Sequence, residues 1–260
     1  AEALDAPLGG PREDRLVAGE RDRGLAMGLN EFAGYLAVAL AALATGWLAG
    51  EYGLRPYPFY LGVGLSVTGF LSTLLLVRDT HAHVAAEAIT SQVPRLGQIF
   101  RDTSWHDRNL GSVTVTGLVN NLNDGMVWGL LPVLLAQKGF SLREIGILAA
   151  VYPAVWGIGQ LLSGRLSDWV CKKDLLLWGM LFQGLALLGL AMADRFCAFS
   201  LLLALLGWGT ALVYPTFLSS IAENTHPFDR AKSLGVFRFW RDMGYAVGAL
   251  LTGVLADAFG

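Results

Sequence analysis

Long apolar stretches, separated by short charged connections, dominate the pattern of this chain. Seven stretches of about 20 residues carry few or no charged side chains, and a helix of that length crosses the roughly 30 Å hydrocarbon core of a bilayer. These stretches are residues 25–50, 58–77, 110–136, 145–166, 175–193, 196–222 and 231–256. The pattern therefore predicts an all-α, multi-pass membrane protein.

The composition supports this interpretation and narrows the possible functions. Of the 260 residues, 54% are apolar and 15% are charged, whereas a typical soluble domain has roughly 25% charged residues. The net charge of −2 does not fit a protein that binds nucleic acid. The sequence has no complete set of metal ligands, no cofactor motif and no catalytic combination of side chains, so we expect no metal, no cofactor and no enzymatic activity.

The positions of lysine and arginine predict how the chain lies in the membrane. Thirteen of the 19 basic residues fall on the side of residue 1, in alternate connections, and four fall on the opposite side. Connections rich in lysine and arginine stay in the cytoplasm. We therefore expect residue 1 and the connection 78–108 to be cytoplasmic, in a protein of the inner or plasma membrane.

The first and last predicted helices are related in sequence. Residues 22–53 and 229–260 align without gaps, and 12 of the 32 positions are identical. Shared Asp-Arg, Phe and Thr-Gly positions argue against a chance match between two apolar helices. The two helices lie six spans apart and run in the same direction, and a parallel repeat of this kind occurs in one class of membrane proteins.

A short motif follows the fourth predicted helix. Its matches to the pattern G-x-x-x-D-[RK]-x-G-[RK]-[RK] are Gly164, Asp168, Lys172 and Lys173. Trp169 and Cys171 depart from the pattern. Together with the Asp-Arg-Gly at residues 22–24 and the repeat, this motif resembles the cytoplasmic motif of the major facilitator superfamily (MFS) of transporters.

The resemblance implies a bundle of twelve helices in two halves, of which this chain supplies about seven, helices five to eleven. Residues 1–79 would then be the remainder of the first half, with two spans. Residues 80–108 would be the cytoplasmic loop between the halves, and residues 109–260 the second half, with five spans and its last helix missing. The implied partners are the lipid bilayer, a small-molecule solute, protons and the missing helices.

The activity implied by the resemblance is secondary active transport of a small solute by alternating access, coupled to an ion or a proton. Drug-export antiporters of the family carry a Gly-Pro pair in the fifth helix, whereas residues 40–46 read Leu-Ala-Ala-Leu-Ala-Thr-Gly. This difference weighs against drug antiport and leaves symport and uniport open. The alternatives are a membrane receptor or sensor on the same fold and an inactive, truncated transporter.

Asp124 is the clearest candidate for a functional residue, because a charge near the middle of a bilayer costs about 2.5–3.5 kcal/mol on insertion scales. Asn120 and Trp128 are four residues away on either side and share its helix face, and Asn123 borders that face. We expect this polar stripe to line a cavity. Burial favours the neutral form of a carboxyl group, which makes Asp124 a candidate proton-binding residue; the alternative is a structural carboxylate capped by amides.

The seventh predicted span carries three further charges, Arg238, Arg241 and Asp242. Arg238 and Asp242 are four residues apart, so we expect them to form an ion pair. Arg241 would then need another partner, with Glu31 and Asp124 as the candidates. Glu31 aligns with Arg238 in the repeat. The group is either a charge network that rearranges during transport or a static structural network.

A third set of candidates is Tyr152, Trp156 and Gln160, which repeat at every fourth position of the fourth predicted span. They would line a substrate site with aromatic and hydrogen-bonding groups, although packing alone also produces such stripes. The family resemblance also implies that Asp168 meets the helix around residues 24–28. A carboxylate at a helix N-terminus is stabilised by the helix dipole, so this contact would hold the cytoplasmic side closed.

Overall fold

The computed structural model describes residues 12–76, 96–166, 170–226 and 229–259, with the backbone alone at residues 12–30, 165 and 259. These residues form eight α-helices and one π-helical turn. They are α1 (Arg12–Tyr52), α2 (Tyr57–Leu76), α3 (Leu96–Arg101), the π-helical turn (Asp102–His106), α4 (Arg108–Gln137), α5 (Leu142–Leu166), α6 (Lys172–Met192), α7 (Phe196–Glu223) and α8 (Arg230–Phe259).

The prediction of an all-α membrane protein is confirmed for the described residues. Each of the seven predicted spans falls on one long helix. Residues Glu31–Tyr52 of α1 and the helices α2, α5, α6 and α7 are long and apolar enough to cross a membrane. The helices α4 and α8 each have 30 residues, or about 45 Å, but asparagine and charged residues lower their hydropathy. These two helices carry Asp124 and the residues around Arg241.

Local sequence signals set the starts of α4 and α5. The side chain of Asp107 accepts hydrogen bonds from the backbone N–H groups of Asn109 and Leu110, at 2.8 and 2.9 Å. At α5, Ser141 and Glu144 form a capping box: the Ser141 N–H and hydroxyl both donate to the Glu144 carboxylate, at 2.8 and 2.7 Å. Both helices begin where these residues satisfy the free N–H groups.

The long helices pack in pairs. Helix α1 lies along α5, α4 lies along α8, and α7 packs against both α5 and α6. The largest group of buried apolar side chains joins α4, α5, α6 and α7, and it includes Leu135, Leu148, Phe199 and Leu203. Helix α2 has no buried residue, so its apolar surface is free to face lipid or other helices.

The segment before α4 is fixed to the bundle by two hydrogen bonds. The hydroxyl of Thr114 on α4 donates to the backbone carbonyl of Thr103, at 2.9 Å, and the indole N–H of Trp240 on α8 donates to the hydroxyl of Ser104, at 2.8 Å. Both bonds end in the π-helical turn. This turn therefore ties the connection before α4 to the α4–α8 pair.

Candidate functional site

Asp124 lies in the middle of α4 and is 1% exposed. Its carboxylate accepts a hydrogen bond from the Tyr152 hydroxyl on α5 and a longer one, 3.4 Å, from the Tyr245 hydroxyl on α8. It forms no ion pair with any described side chain. The carboxyl group is thus held between three helices by two phenols, without an ion pair in the described part of the chain.

Tyr152, the closer of the two tyrosines at Asp124, is itself held in place. The Tyr152 hydroxyl lies 3.1 Å from the hydroxyl of Thr210 on α7, which in turn donates to the Leu206 carbonyl at 3.0 Å. Tyr152 and Thr210 are 1% and 0% exposed. Tyr152 also precedes Pro153 inside α5. The hydrogen bonds therefore link α4, α5, α7 and α8 at one level of the bundle.

The amides near Asp124 do not bind it. The Gln183 side-chain N–H on α6 donates to the Asn120 carbonyl oxygen at 2.9 Å, and the Asn120 N–H donates to Asn121 at 3.1 Å. The expected stripe is therefore divided: Asn120 and Asp124 are buried, whereas Trp128 is 37% exposed with its ring 5.8 Å from that of Tyr152.

Asn123, the fourth member of the expected stripe, is half-buried at its border. No hydrogen bond joins Asn123 to Asp124. Of the polar residues predicted on α4, only Asp124 takes part in the tyrosine network.

The predicted ion pair between Arg238 and Asp242 is wrong. Arg241 instead binds Asp242, with distances of 2.8 and 2.7 Å from Nε and Nη2 to the carboxylate. Its third nitrogen donates to the Tyr214 hydroxyl at 2.6 Å, and the guanidinium carbon lies 5.1 Å from the Tyr214 ring centre. Contact with Tyr214 turns the guanidinium toward α7, and this orientation brings the adjacent carboxylate within reach.

The other two charges of that group have no ionic partner. Arg238 is exposed and Glu31 is half-buried, and neither forms an ion pair with a described side chain. Arg241 therefore forms an ion pair with neither Glu31 nor Asp124. The predicted charge network reduces to one arginine, one aspartate and one tyrosine.

Tyr152, Trp156 and Gln160 lie side by side on α5 and are 1%, 1% and 3% exposed. Two tyrosines that the sequence did not single out for this site complete an aromatic cluster around Trp156. Tyr35 on α1 stacks on the indole with ring centres 3.6 Å apart, and Tyr214 on α7 meets it edge-on at 5.6 Å. We call Tyr35, Tyr152, Trp156 and Tyr214 the aromatic cluster.

Sequence reasoning missed Tyr35, Thr210 and Tyr245 as members of the site. The available signal was a polar atom inside an apolar span, and Tyr245 also lies four residues after Arg241. Such a signal is weak, because a tyrosine or threonine inside a membrane helix also occurs for packing alone.

The structure describes only some of the motif residues in 164–173. Gly164 lies near the end of α5, and Lys172, at the start of α6, forms an ion pair with Glu223 at the end of α7. Lys173 is exposed. Asp168 lies outside the described residues, as do the side chains of residues 24–28, so its predicted contact with that helix stays a prediction.

Comparison with known proteins bears on this arrangement. Residues 113–260, more than half of the chain, match the sequence profile described as Major Facilitator Superfamily. The chain belongs to the Major Facilitator Superfamily. It is accordingly a multi-pass membrane protein, and the resemblance found in residues 164–173 and in the repeat is confirmed at the level of the family.

Individual relatives of the MFS chain extend the match to nearly all of its residues. It is 24% identical to the multidrug resistance protein MdtG of Salmonella paratyphi C, over 99% of this chain and 65% of that protein. It is 23% identical to the protein of the same name from Citrobacter koseri, over 99% of this chain and 64% of the relative. The chain therefore spans about 65% of the length of these relatives.

Proposed function

We propose that this chain is part of a secondary transporter that moves small organic solutes across a membrane by alternating access, with Asp124 as the group that carries a coupled proton. The observation behind this proposal is the isolation of Asp124: it is 1% exposed and has no ion pair with a described side chain. Burial of an unpaired carboxylate is costly, so the carboxyl group is favoured in its neutral form while it is closed off from water. Access to water on one side would let the proton leave.

The substrate class that we propose is drug-like organic compounds. The relatives that cover 99% of the chain are named multidrug resistance proteins, and the aromatic cluster offers a surface on which rings can stack. The missing Gly-Pro pair in residues 40–46 sets this chain apart from family antiporters that carry it. The names of the relatives nevertheless favour export of drugs over symport or uniport.

The working unit in this proposal is the full-length protein. Helices α1 and α2 belong to its first half and α4 to α8 to its second, with residues 80–108 as a cytoplasmic connection. The contact between α1 and α5 is then the contact between the halves. The remaining helices and the lipid bilayer cover the surfaces that α2 leaves exposed.

The test is transport of ethidium, an organic cation, by the full-length protein reconstituted in liposomes. We expect an imposed pH gradient to drive ethidium movement, and Asp124→Asn to lower the gradient-driven rate at least tenfold while ethidium exchange without a gradient continues. Asp174→Asn is the matched control, because Asp174 is exposed in the first turn of α6 and should leave the rate unchanged.

Two results would overturn parts of this proposal. Gradient-driven transport by Asp124→Asn at the wild-type rate would remove Asp124 from the coupling step. Saturable binding of ethidium by the wild-type protein without any flux would instead favour the receptor function.

A further inference from the structure

Two of the three polar side chains that line one face of α5, Tyr152, Trp156 and Gln160, have polar atoms that no described residue satisfies. The indole Nε1 of Trp156 and both amide atoms of Gln160 are buried and have no hydrogen-bond partner, although the residues are 1% and 3% exposed. One helical turn separates them, so their side chains lie on the same face of α5. They present one N–H donor from the indole, two from the amide and one carbonyl acceptor.

Unpaired buried polar groups are uncommon, because each forfeits the hydrogen bonds that it would make with water. Two other buried polar side chains of α5 avoid this cost. Tyr152 is bonded to Asp124 and Thr210, and Ser163, one turn farther along α5, donates to the Ala211 carbonyl at 2.6 Å. The lack of partners is therefore specific to Trp156 and Gln160 within this part of α5.

Trp156 is covered by a side chain of α1, the helix that packs along α5. Tyr35 of α1 lies on the indole with ring centres 3.6 Å apart and planes inclined by 28°. Nearby, a Cβ atom at Gly157 would lie 3.2 Å from the Cβ of Tyr35 and 3.5 Å from the Phe32 carbonyl. The absence of a side chain at Gly157 thus lets α1 approach closely enough to close the site. Movement of α1 away from α5 would uncover the indole.

We propose that Trp156 and Gln160 recognise a carboxamide group on an aromatic substrate, which enters when Tyr35 moves away. The inference rests on the proposed function, since it gives the substrate of that transporter a specific chemical feature. The substrate ring stacks on Trp156 in the place of Tyr35, and the indole N–H donates to the carbonyl oxygen of the amide. The side-chain carbonyl of Gln160 accepts the amide N–H.

This arrangement selects against an ester of the same shape. An ester keeps the carbonyl for Trp156 but has no N–H for Gln160, so the acceptor of Gln160 stays buried without a partner. Leaving a buried acceptor unpaired costs more than the hydrogen bond itself contributes. We therefore expect the amide to bind about tenfold more tightly than the ester.

Procainamide and procaine provide this comparison, because they have the same aromatic ring and the same tertiary amine and differ by an amide in place of an ester. Their dissociation constants are measured by equilibrium dialysis against the full-length protein in liposomes. We expect the wild type to bind procainamide about tenfold more tightly, and Gln160→Met to reduce this ratio to about one. Gln183→Met is the matched control, since Gln183 is a buried glutamine that bonds to Asn120, and it should keep the ratio.

A second variant tests the other contact and covers the case in which Gln160→Met does not reach the membrane. Trp156→Phe keeps an aromatic ring but loses the N–H, so it should weaken both compounds about fivefold and leave their ratio unchanged. Equal binding of both compounds by the wild type, or failure to bind either, overturns the proposal. So does a tenfold ratio that survives Gln160→Met, or unchanged binding of both compounds by Trp156→Phe. Ethidium flux tests the proposed function separately, because the binding of procainamide and procaine is measured in an assay that does not depend on transport.

Discussion

The pairs α1–α5 and α4–α8 are both held at close range by glycines, but different side chains surround them. A Cβ atom at Gly46 on α1 would lie 2.5 Å from the Cα of Gly146 on α5, and a Cβ atom at Gly125 on α4 would lie 2.6 Å from the Tyr245 carbonyl on α8. Around the first contact lies an ion pair between Glu51 and Arg143 whose side chains are 41% and 51% exposed.

The second pair has a buried surrounding. Phe237 of α8 is 0% exposed, and a Cβ atom at Gly117 of α4 would lie 2.6 Å from its ring. Asp124 also bonds to Tyr245 across this pair. In the proposed transporter, α4–α8 stays part of the core, whereas α1–α5, the contact between the proposed halves, opens.

The sequence repeat allows the two helix pairs to be compared position by position, because α1 and α8 align with each other. Gly46 of α1 aligns with Gly253 of α8, yet a Cβ atom at Gly253 would meet nothing within 4 Å. The shared glycine is a close contact in α1, whereas at Gly253 no described residue lies within that distance.

The largest effect on stability is expected from Gly125→Val. The new side chain would collide with the backbone of α8, and overpacking of this kind typically costs about 1–3 kcal/mol. We expect a lower melting temperature and less protein in the membrane. Gly129→Val on the same helix is the control, because a Cβ atom there meets nothing within 4 Å; an equal loss in both variants would contradict the account of α4–α8.

A smaller loss of stability is expected from Gly46→Val, since in the proposed transporter α1 moves away from α5 during transport. Ethidium transport should nevertheless fall severalfold, because the two helices no longer close against each other. Melting temperature and flux are measured on the same preparations. Gly34→Val, on α1 at a position with open space, should leave both near wild type. If the Gly46→Val protein is as unstable as the Gly125→Val protein, the proposed difference between the α1–α5 and α4–α8 contacts is wrong.

The smallest effect is expected from Glu51→Gln, which removes the ion pair with Arg143. Exposed ion pairs contribute about 0–1 kcal/mol and are screened by salt. We expect a change in the transport rate of about twofold that disappears at high ionic strength. Asp194→Asn is the control: it removes the exposed pair with Lys138, which joins residues of the proposed second half only. If the control changes the transport rate by the same factor, the ion pair between α1 and α5 has no special role in transport.

The sequence was sufficient to predict the helices and the family, because apolar runs of bilayer length and the motif at residues 164–173 depend only on local order along the chain. It also singled out Asp124, near the middle of a predicted span, as the clearest candidate for a functional residue. The hydrogen-bond partners of the charged residues were harder to predict from the sequence. Arg241 bonds to Tyr214, 27 positions away, and helical spacing within α8 does not indicate this partner. Which residue of α7 faces Arg241 depends on how each helix is rotated in the bundle.

The same limit explains why Tyr35 was not identified. Its contact with Trp156 joins two helices that are about 120 residues apart in the chain, and spacing within one helix carries no information about such a pair. The two unpaired groups of the α5 stripe became recognisable only once every neighbour of Trp156 and Gln160 was known.

The most direct test of the central claim, that α1 and α5 separate during transport, is a reversible cross-link between Gly50→Cys and Arg143→Cys. A Cβ atom at residue 50 would lie 2.6 Å from the Cγ of Arg143, so the two side chains are direct neighbours across the α1–α5 contact. Cys171 and Cys197, both free and exposed, are first replaced by serine, and each single-cysteine variant is the control. We predict that oxidation stops ethidium flux and that dithiothreitol restores it. A cross-linked protein that transports ethidium as fast as the dithiothreitol-treated protein would contradict the account.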